Sequence, residues 1–282
     1  IQQIINLVTK NQYNDEFEIS GLIQQSDLPT ITGSSILCEA ELLIDRIILS
    51  KRLMRRLIPN LVDVQKLSDS IGISKKDVQD TLRYLRVTEI TSDSVNQRFV
   101  SQYTDLWDSA KTKEEKLELL VFIEEQDAFD DLCDVISVLP IVQTQAKKET
   151  WTIPEEALTP DIASLNPPLI SETELPSKEV PDKIIALYNK ICGINSFSLV
   201  FSQILSRLAP GINTTRISEV YKWLSNLLNE KLISSDEMVN YLKTNKWFLA
   251  NKGGIEDYLM PKEVLICDAS SILKQHFYVP VL

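Results

Sequence analysis

Two segments of this chain spell one pattern, and a duplicated pattern of this length points to units that stack and share a core. The segments are Trp151-Thr-Ile-Pro154-Glu-Glu-Ala-Leu-Thr-Pro-Asp161 and Tyr258-Leu-Met-Pro261-Lys-Glu-Val-Leu-Ile-Cys-Asp268. Each reads aromatic, two residues, Pro, any residue, Glu, small apolar, Leu, two residues, Asp. Pro154 and Pro261 lie 107 positions apart, as do Asp161 and Asp268. An apolar, strand-like run leads into each copy, Val138–Val142 and Trp247–Ala250. Stacked units of this kind build surface; the pattern itself supplies no reaction.

Around the copies the apolar residues recur mostly at helical spacing, and only seven glycines interrupt them. The expected fold is therefore mainly α with small β-hairpins, an α+β chain holding two repeated helical-plus-hairpin units. Helices are predicted over 38–58, 62–71, 75–86, 95–107, 113–124, 128–137, 182–191, 196–208, 215–229, 235–244 and 268–275. Hairpins are predicted at 141–153 and around Gly253-Gly254, with a last strand over 276–281. The segment 159–181, with Pro160, Pro167, Pro168, Pro176 and Pro181, reads as an extended connector. Its Ile162, Leu165, Leu169, Ile170 and Leu175 would be wasted in a free linker, so it is expected to pack. The domain organisation that follows is 1–95, a helical region with a helix-turn-helix-like element; 96–165, a first helical/hairpin unit; and 166–282, the connector with a second unit.

Charge and cysteine usage exclude several classes. The net charge of −11 is concentrated in residues 101–180, which carry 6 basic and 18 acidic side chains and would repel a phosphate backbone. Four scattered cysteines and a single histidine, His276, do not make a Cys/His zinc site. Reduced thiols in a cytoplasmic protein are the natural account. No apolar run approaches the roughly 20 residues of a membrane-spanning helix, so no membrane partner is expected. Ile1 opens directly into an amphipathic pattern with no basic n-region, which reads as a piece of a longer protein with no export signal.

Three features are candidates for chemistry. In the helix-turn-helix-like run 62–86, Ser74 can cap a second helix whose Lys75, Lys76, Gln79 and Arg83 face outward, as a DNA reader requires. Asp77 and Asp80 on that helix, and a first hundred residues of net charge −1, weigh against it. Glu156 and Glu263 could hold a ligand, but a first-turn glutamate behind an N1 proline is the structural reading. Asp127, Asp130, Asp131 and Asp134 form an acidic cluster without the turn glycine or ligand order of a calcium loop, and read as a solvated face. No Walker or dinucleotide motif occurs, so no cofactor and no enzymatic activity are assigned to this segment.

A resemblance adds to this reading. The run from Trp223-Leu through Trp247-Phe-Leu-Ala-Asn-Lys-Gly-Gly254 to Pro261-Lys-Glu-Val-Leu resembles the repeated regions of sacsin-like proteins. So does Leu139-Pro-Ile-Val142 through Trp151 to Pro154–Asp161, and Ile71–Leu85 is similar to the helical segment that precedes such units. The resemblance implies a large, multidomain, intracellular protein with a GHKL-type ATPase domain elsewhere, engaged in chaperone-like work or in defence against foreign DNA. That ATPase's Asp-x-Gly-x-Gly loop is absent here, so nucleotide hydrolysis carries over to no residue of this chain. The expected role is a non-catalytic scaffold for protein partners or for other domains of the same polypeptide. The alternatives are a nucleic-acid-binding module built on 62–86 and, more remotely, a hydrolase using the acidic cluster.

Overall fold

The computed structural model describes residues 25–146, 150–208, 214–230, 232, 235–252, 255–260 and 279–280. It is mainly α-helical with small β-ribbons, and it forms two compact units, Ile1–Ser109 and Ala110–Leu282. A division at 95/96 would cut a continuous helix, and one at 165/166 would cut a single core. The three-part organisation therefore gives way to two units.

The first unit opens with an antiparallel hairpin of β1 (Asp27–Thr30) and β2 (Gly33–Ile36). Its third strand, β3 (Glu41–Leu43), runs parallel to β4 (Thr88–Ile90). Residues 60–63 splice the two pairs together: Thr30 bridges Val62 on one side and Glu41 bridges Leu61 on the other. A single helix over 38–58 does not form. Residues 41–43 are strand, and helix α1 begins only at Lys51 (Lys51–Leu57), where the Ser50 hydroxyl accepts the Leu53 N–H. Leu42 is buried in either conformation, so its periodicity could not distinguish helix from strand. Arg98 ties these parts together, gripping both oxygens of Glu41 at 3.0 and 2.5 Å and donating to the Leu57 carbonyl at 3.3 Å.

Helices α2 (Val64–Ile71) and α3 (Lys75–Tyr84) follow, joined by Gly72 in the left-handed region at φ 77°. Leu67, Val78, Leu82 and Leu85 turn inward onto Leu28, Leu42 and Val62. The unit ends on α4 (Ser92–Ser109), where Phe99, Tyr103 and Trp107 make a buried stripe at four-residue spacing.

The second unit begins with α5 (Lys113–Glu125) and α6 (Phe129–Val138). A two-stranded ribbon follows, β5 (Val142–Gln143) antiparallel to β6 (Trp151–Thr152). The connector is packed, as its apolar residues implied, but it is not extended throughout. It opens with a short helix α7 (Pro160–Ser164), capped by Thr159 with Pro160 at the first helical position. Further along, Pro176 bridges Thr144, Ser177 N–H donates to the Gln143 carbonyl at 2.7 Å, and Gln145 N–H donates to the Leu175 carbonyl at 2.9 Å. The segment thus adds a third strand-like edge to the ribbon. Arg207 clamps its middle, donating to the Leu169 carbonyl at 2.6 Å and pairing with Glu174, while Trp223 Nε1 donates to the Leu165 carbonyl at 2.7 Å.

Helices α8 (Asp182–Ile191), α9 (Phe197–Leu208), α10 (Thr214–Glu230) and α11 (Ser235–Thr244) complete the unit. Val200, Phe201, Ile204, Val220, Leu224 and Leu227 form its core, with Ile162, Leu165, Leu169, Ile170 and Leu175 of the connector packed against it. A second ribbon pairs β7 (Phe248–Lys252) with β8 (Ile255–Leu259), and β9 (Val279–Pro280) lies antiparallel along the other side of β7.

Candidate interaction site

The helix-turn-helix-like element of the first unit has the expected local geometry. Ser74 Oγ accepts the Asp77 N–H at 3.1 Å, capping the helix, and its hydroxyl donates to the Asp77 carboxylate at 2.7 Å rather than leaving that carboxylate to close a capping box on the Ser74 backbone. Lys75 and Lys76 are exposed in the first turn and Gln79 is half-buried beside them. Arg83, however, is committed: it donates to Asp80 at 3.0 Å and to Glu89 at 2.6 Å. The hydrogen bond to Glu89, more than any other cause, raises its already high pKa. Exposed pairs of this kind add little stability, but they neutralise the face a phosphate would approach.

The second unit shows what the Pro-x-Glu segment does. Pro154 starts a one-turn 3₁₀ helix, Pro154–Glu156, whose exposed Glu156 accepts the Thr152 hydroxyl proton at 3.0 Å. The segment then pairs with the stretch after α8: Gly193 N–H donates to the Pro154 carbonyl at 2.9 Å, and Thr159 N–H to the Ile194 carbonyl at 3.0 Å. At Gly193 an added Cβ would lie 2.9 Å from the Glu155 carbonyl oxygen, so only glycine permits this approach. Asp161 and Asn189 exchange two hydrogen bonds at 3.1 and 3.2 Å, fixing α7 to α8. The four signature residues of the first copy therefore serve local structure, with Trp151 lying half-buried beneath the Lys116 ammonium at 5.2 Å.

In the second copy Tyr258 sits on β8 opposite Leu249 and packs against the main core. Pro261, Glu263 and Asp268 lie outside the described residues, as do the Gly253-Gly254 turn, the helix read over 268–275 and His276. The two ribbons differ by one residue in register. Val142 faces Thr152 and Phe248 faces Leu259, so the first strands are offset by 106 positions where the second strands are offset by 107.

The ribbon's middle strand is anchored from below by a buried phenol. Tyr188 on α8 accepts the Gln143 N–H at 2.9 Å and donates to the Ile141 carbonyl at 3.0 Å. Burial pushes its pKa up, and burial likewise pushes the neighbouring Cys192 thiol up to about 12. Above this anchor the surface opens into a groove that no sequence motif announced. One cavity of about 460 Å³ is bounded by Lys113, by Gln143 to Ala146 and by Ser177 to Glu179. A second, of about 430 Å³, shares Gln145, Ser177 and Lys178 with it and extends over Pro160, Ala163 and Ile185. The parts of this groove come from five segments brought together by the fold, which is why periodicity and spacing did not reveal it.

The aspartates of the acidic cluster are exposed, and among the described residues no group of three or more His, Cys, Asp or Glu side chains could hold a metal ion. Part of the acidity of α5 is matched by α8, where Lys190 meets Glu124 at 2.9 Å and Lys183 meets Glu125 at 2.5 Å. No family model, curated protein or solved structure matches this chain.

Proposed function

We propose that this chain is a non-catalytic interaction region, of the kind found in sacsin-like multidomain proteins, presenting fixed surface to protein partners or to other domains of the same polypeptide. One observation carries the reading. The Pro-rich segment is built into the second unit as a third ribbon edge, held by Arg207 and Trp223, and this edge lines both adjoining cavities of the groove. Binding surfaces gain affinity when they are pre-organised in this way. A cytoplasmic setting belongs to the same proposal, since Cys38, Cys133 and Cys192 are free thiols. Among the described residues no helix is long and apolar enough to cross a membrane.

The second reading, a nucleic-acid module, draws support from the α2–Gly72–α3 geometry and the exposed Lys75 and Lys76. It is opposed by the pairing of Arg83 with Asp80 and Glu89. Two measurements separate the readings. A photo-crosslinking residue placed at Lys178 in the full-length protein is expected to yield protein adducts; their absence would count against the interaction region. Duplex DNA titrated at several salt concentrations is expected to bind no better than to a neutral protein. Steeply salt-dependent binding that disappears when Lys75, Lys76 and Arg83 are changed together to Ala would replace the first reading with the second.

A further inference from the structure

We infer that the groove beside the first ribbon binds a short peptide segment in which a single carboxylate stands next to a bulky apolar side chain. This rests on the interaction-region reading and names the chemistry of the partner. The first observation is a misplaced cation. Residues 101–180 carry only six basic side chains, and two of them, Lys113 and Lys178, line the larger cavity. The Lys113 side chain is 19% exposed, and its carboxylate partner, Glu179, stands 3.8 Å away on a side chain that is 86% exposed. A shielded ammonium with so loose a partner gains from a closer anion.

The second observation is a buried acceptor. Gln143, only 4% exposed, lines the same cavity and its Oε1 is buried with no protein partner. Ser177, 9% exposed, accepts the Glu179 N–H at 3.2 Å and retains its own hydroxyl proton for an acceptor. A peptide unit offers both an N–H and a carbonyl to such a pair, whereas a simple anion offers acceptors alone. The third observation is the adjoining cavity, where Pro160, Ala163, Pro176 and Ile185 supply apolar wall next to the shared Lys178. Glu179 and Asp161 at the margins disfavour a densely charged phosphate chain and are compatible with one carboxylate.

The probe is N-acetyl-aspartyl-leucine amide, titrated into the 282-residue chain and followed by amide shifts in NMR spectra. Saturable shifts confined to the residues lining the two cavities, at 113, 143–146, 160–164, 176–179 and 185, are expected, with affinity about tenfold weaker for the asparaginyl analogue and about tenfold weaker in Lys113→Gln. Lys178→Gln, at an exposed position, gives the same test should Lys113→Gln fail to fold. Sodium acetate matching the dipeptide would overturn the inference, leaving a simple anion site. Shifts elsewhere, or no saturation at all, would overturn it equally. If crosslinks from Lys178 to protein persist in either case, the interaction region stands and only this ligand assignment falls.

Discussion

The two ribbons of the second unit are alike in topology and unlike in surroundings. In each, a middle strand is flanked on both sides: β5 by β6 and the 175–177 edge, β7 by β8 and β9. Thr144 faces Pro176 in one and Ala250 faces Pro280 in the other, and a proline on an outer edge removes a donor that would otherwise invite another strand. Their neighbourhoods diverge. The second ribbon is set in an aromatic cluster where Trp247 lies 6.2 Å from Phe201, 5.6 Å from Tyr221 and 5.3 Å from Phe248. The first rests on one buried phenol and turns a polar face toward the groove. Ribbons of like topology are thus packed into an aromatic core in one place and bordered by an open groove in the other.

Breaking the aromatic side of this comparison should have the largest effect. Trp247→Ala removes a large side chain and its hydrogen bond to the Leu242 carbonyl, and should cost about 4 kcal/mol in denaturant unfolding. Gly193→Ala drives a methyl into the Glu155 backbone and should cost about 3 kcal/mol by the same measurement. Tyr188→Phe leaves the buried Gln143 N–H and Ile141 carbonyl without their partner, a loss of about 2 kcal/mol.

A smaller effect is set by pH. Cys192 titrates at about 12 in the folded chain against a value of 9.0 when unperturbed, so the folded state holds the proton more tightly. Its contribution is complete below pH 9 and declines as pH rises toward 12, a loss of about 1 kcal/mol by pH 10. Cys192→Ala should flatten that part of the stability profile. Smallest of all, Trp151→Ala should cost under about 1 kcal/mol, the scale of an exposed cation–π contact. A cost near that of Trp247→Ala would erase the distinction between the ribbons.

What the sequence disclosed follows the reach of its signals. Helices with clean apolar stripes and sharp ends, such as Asp182–Ile191 and Ser235–Thr244, form over the residues read from the pattern. Ser74 and Gly72 bracket the turn between α2 and α3 as their chemistry requires. Long-range pairing was silent. The parallel contact of Glu41–Leu43 with Thr88–Ile90 involves three residues a side, too few for alternation to register. Helix α7 did leave a signal, since Thr159-Pro160 is an N-cap followed by an N1 proline, but the surrounding prolines outweighed it. The groove left none. Lys113, Gln143 and Lys178 are unremarkable singly, and only folding makes them neighbours.

The third edge on β5 also governs how this molecule can be cut. Because residues 175–177 reach the strand more than thirty positions after it has left the ribosome, any product ending between Leu165 and Pro176 carries bare backbone donors and acceptors along β5. Such a product is a template for a neighbouring chain, so expression boundaries or nicks in that interval should yield aggregates.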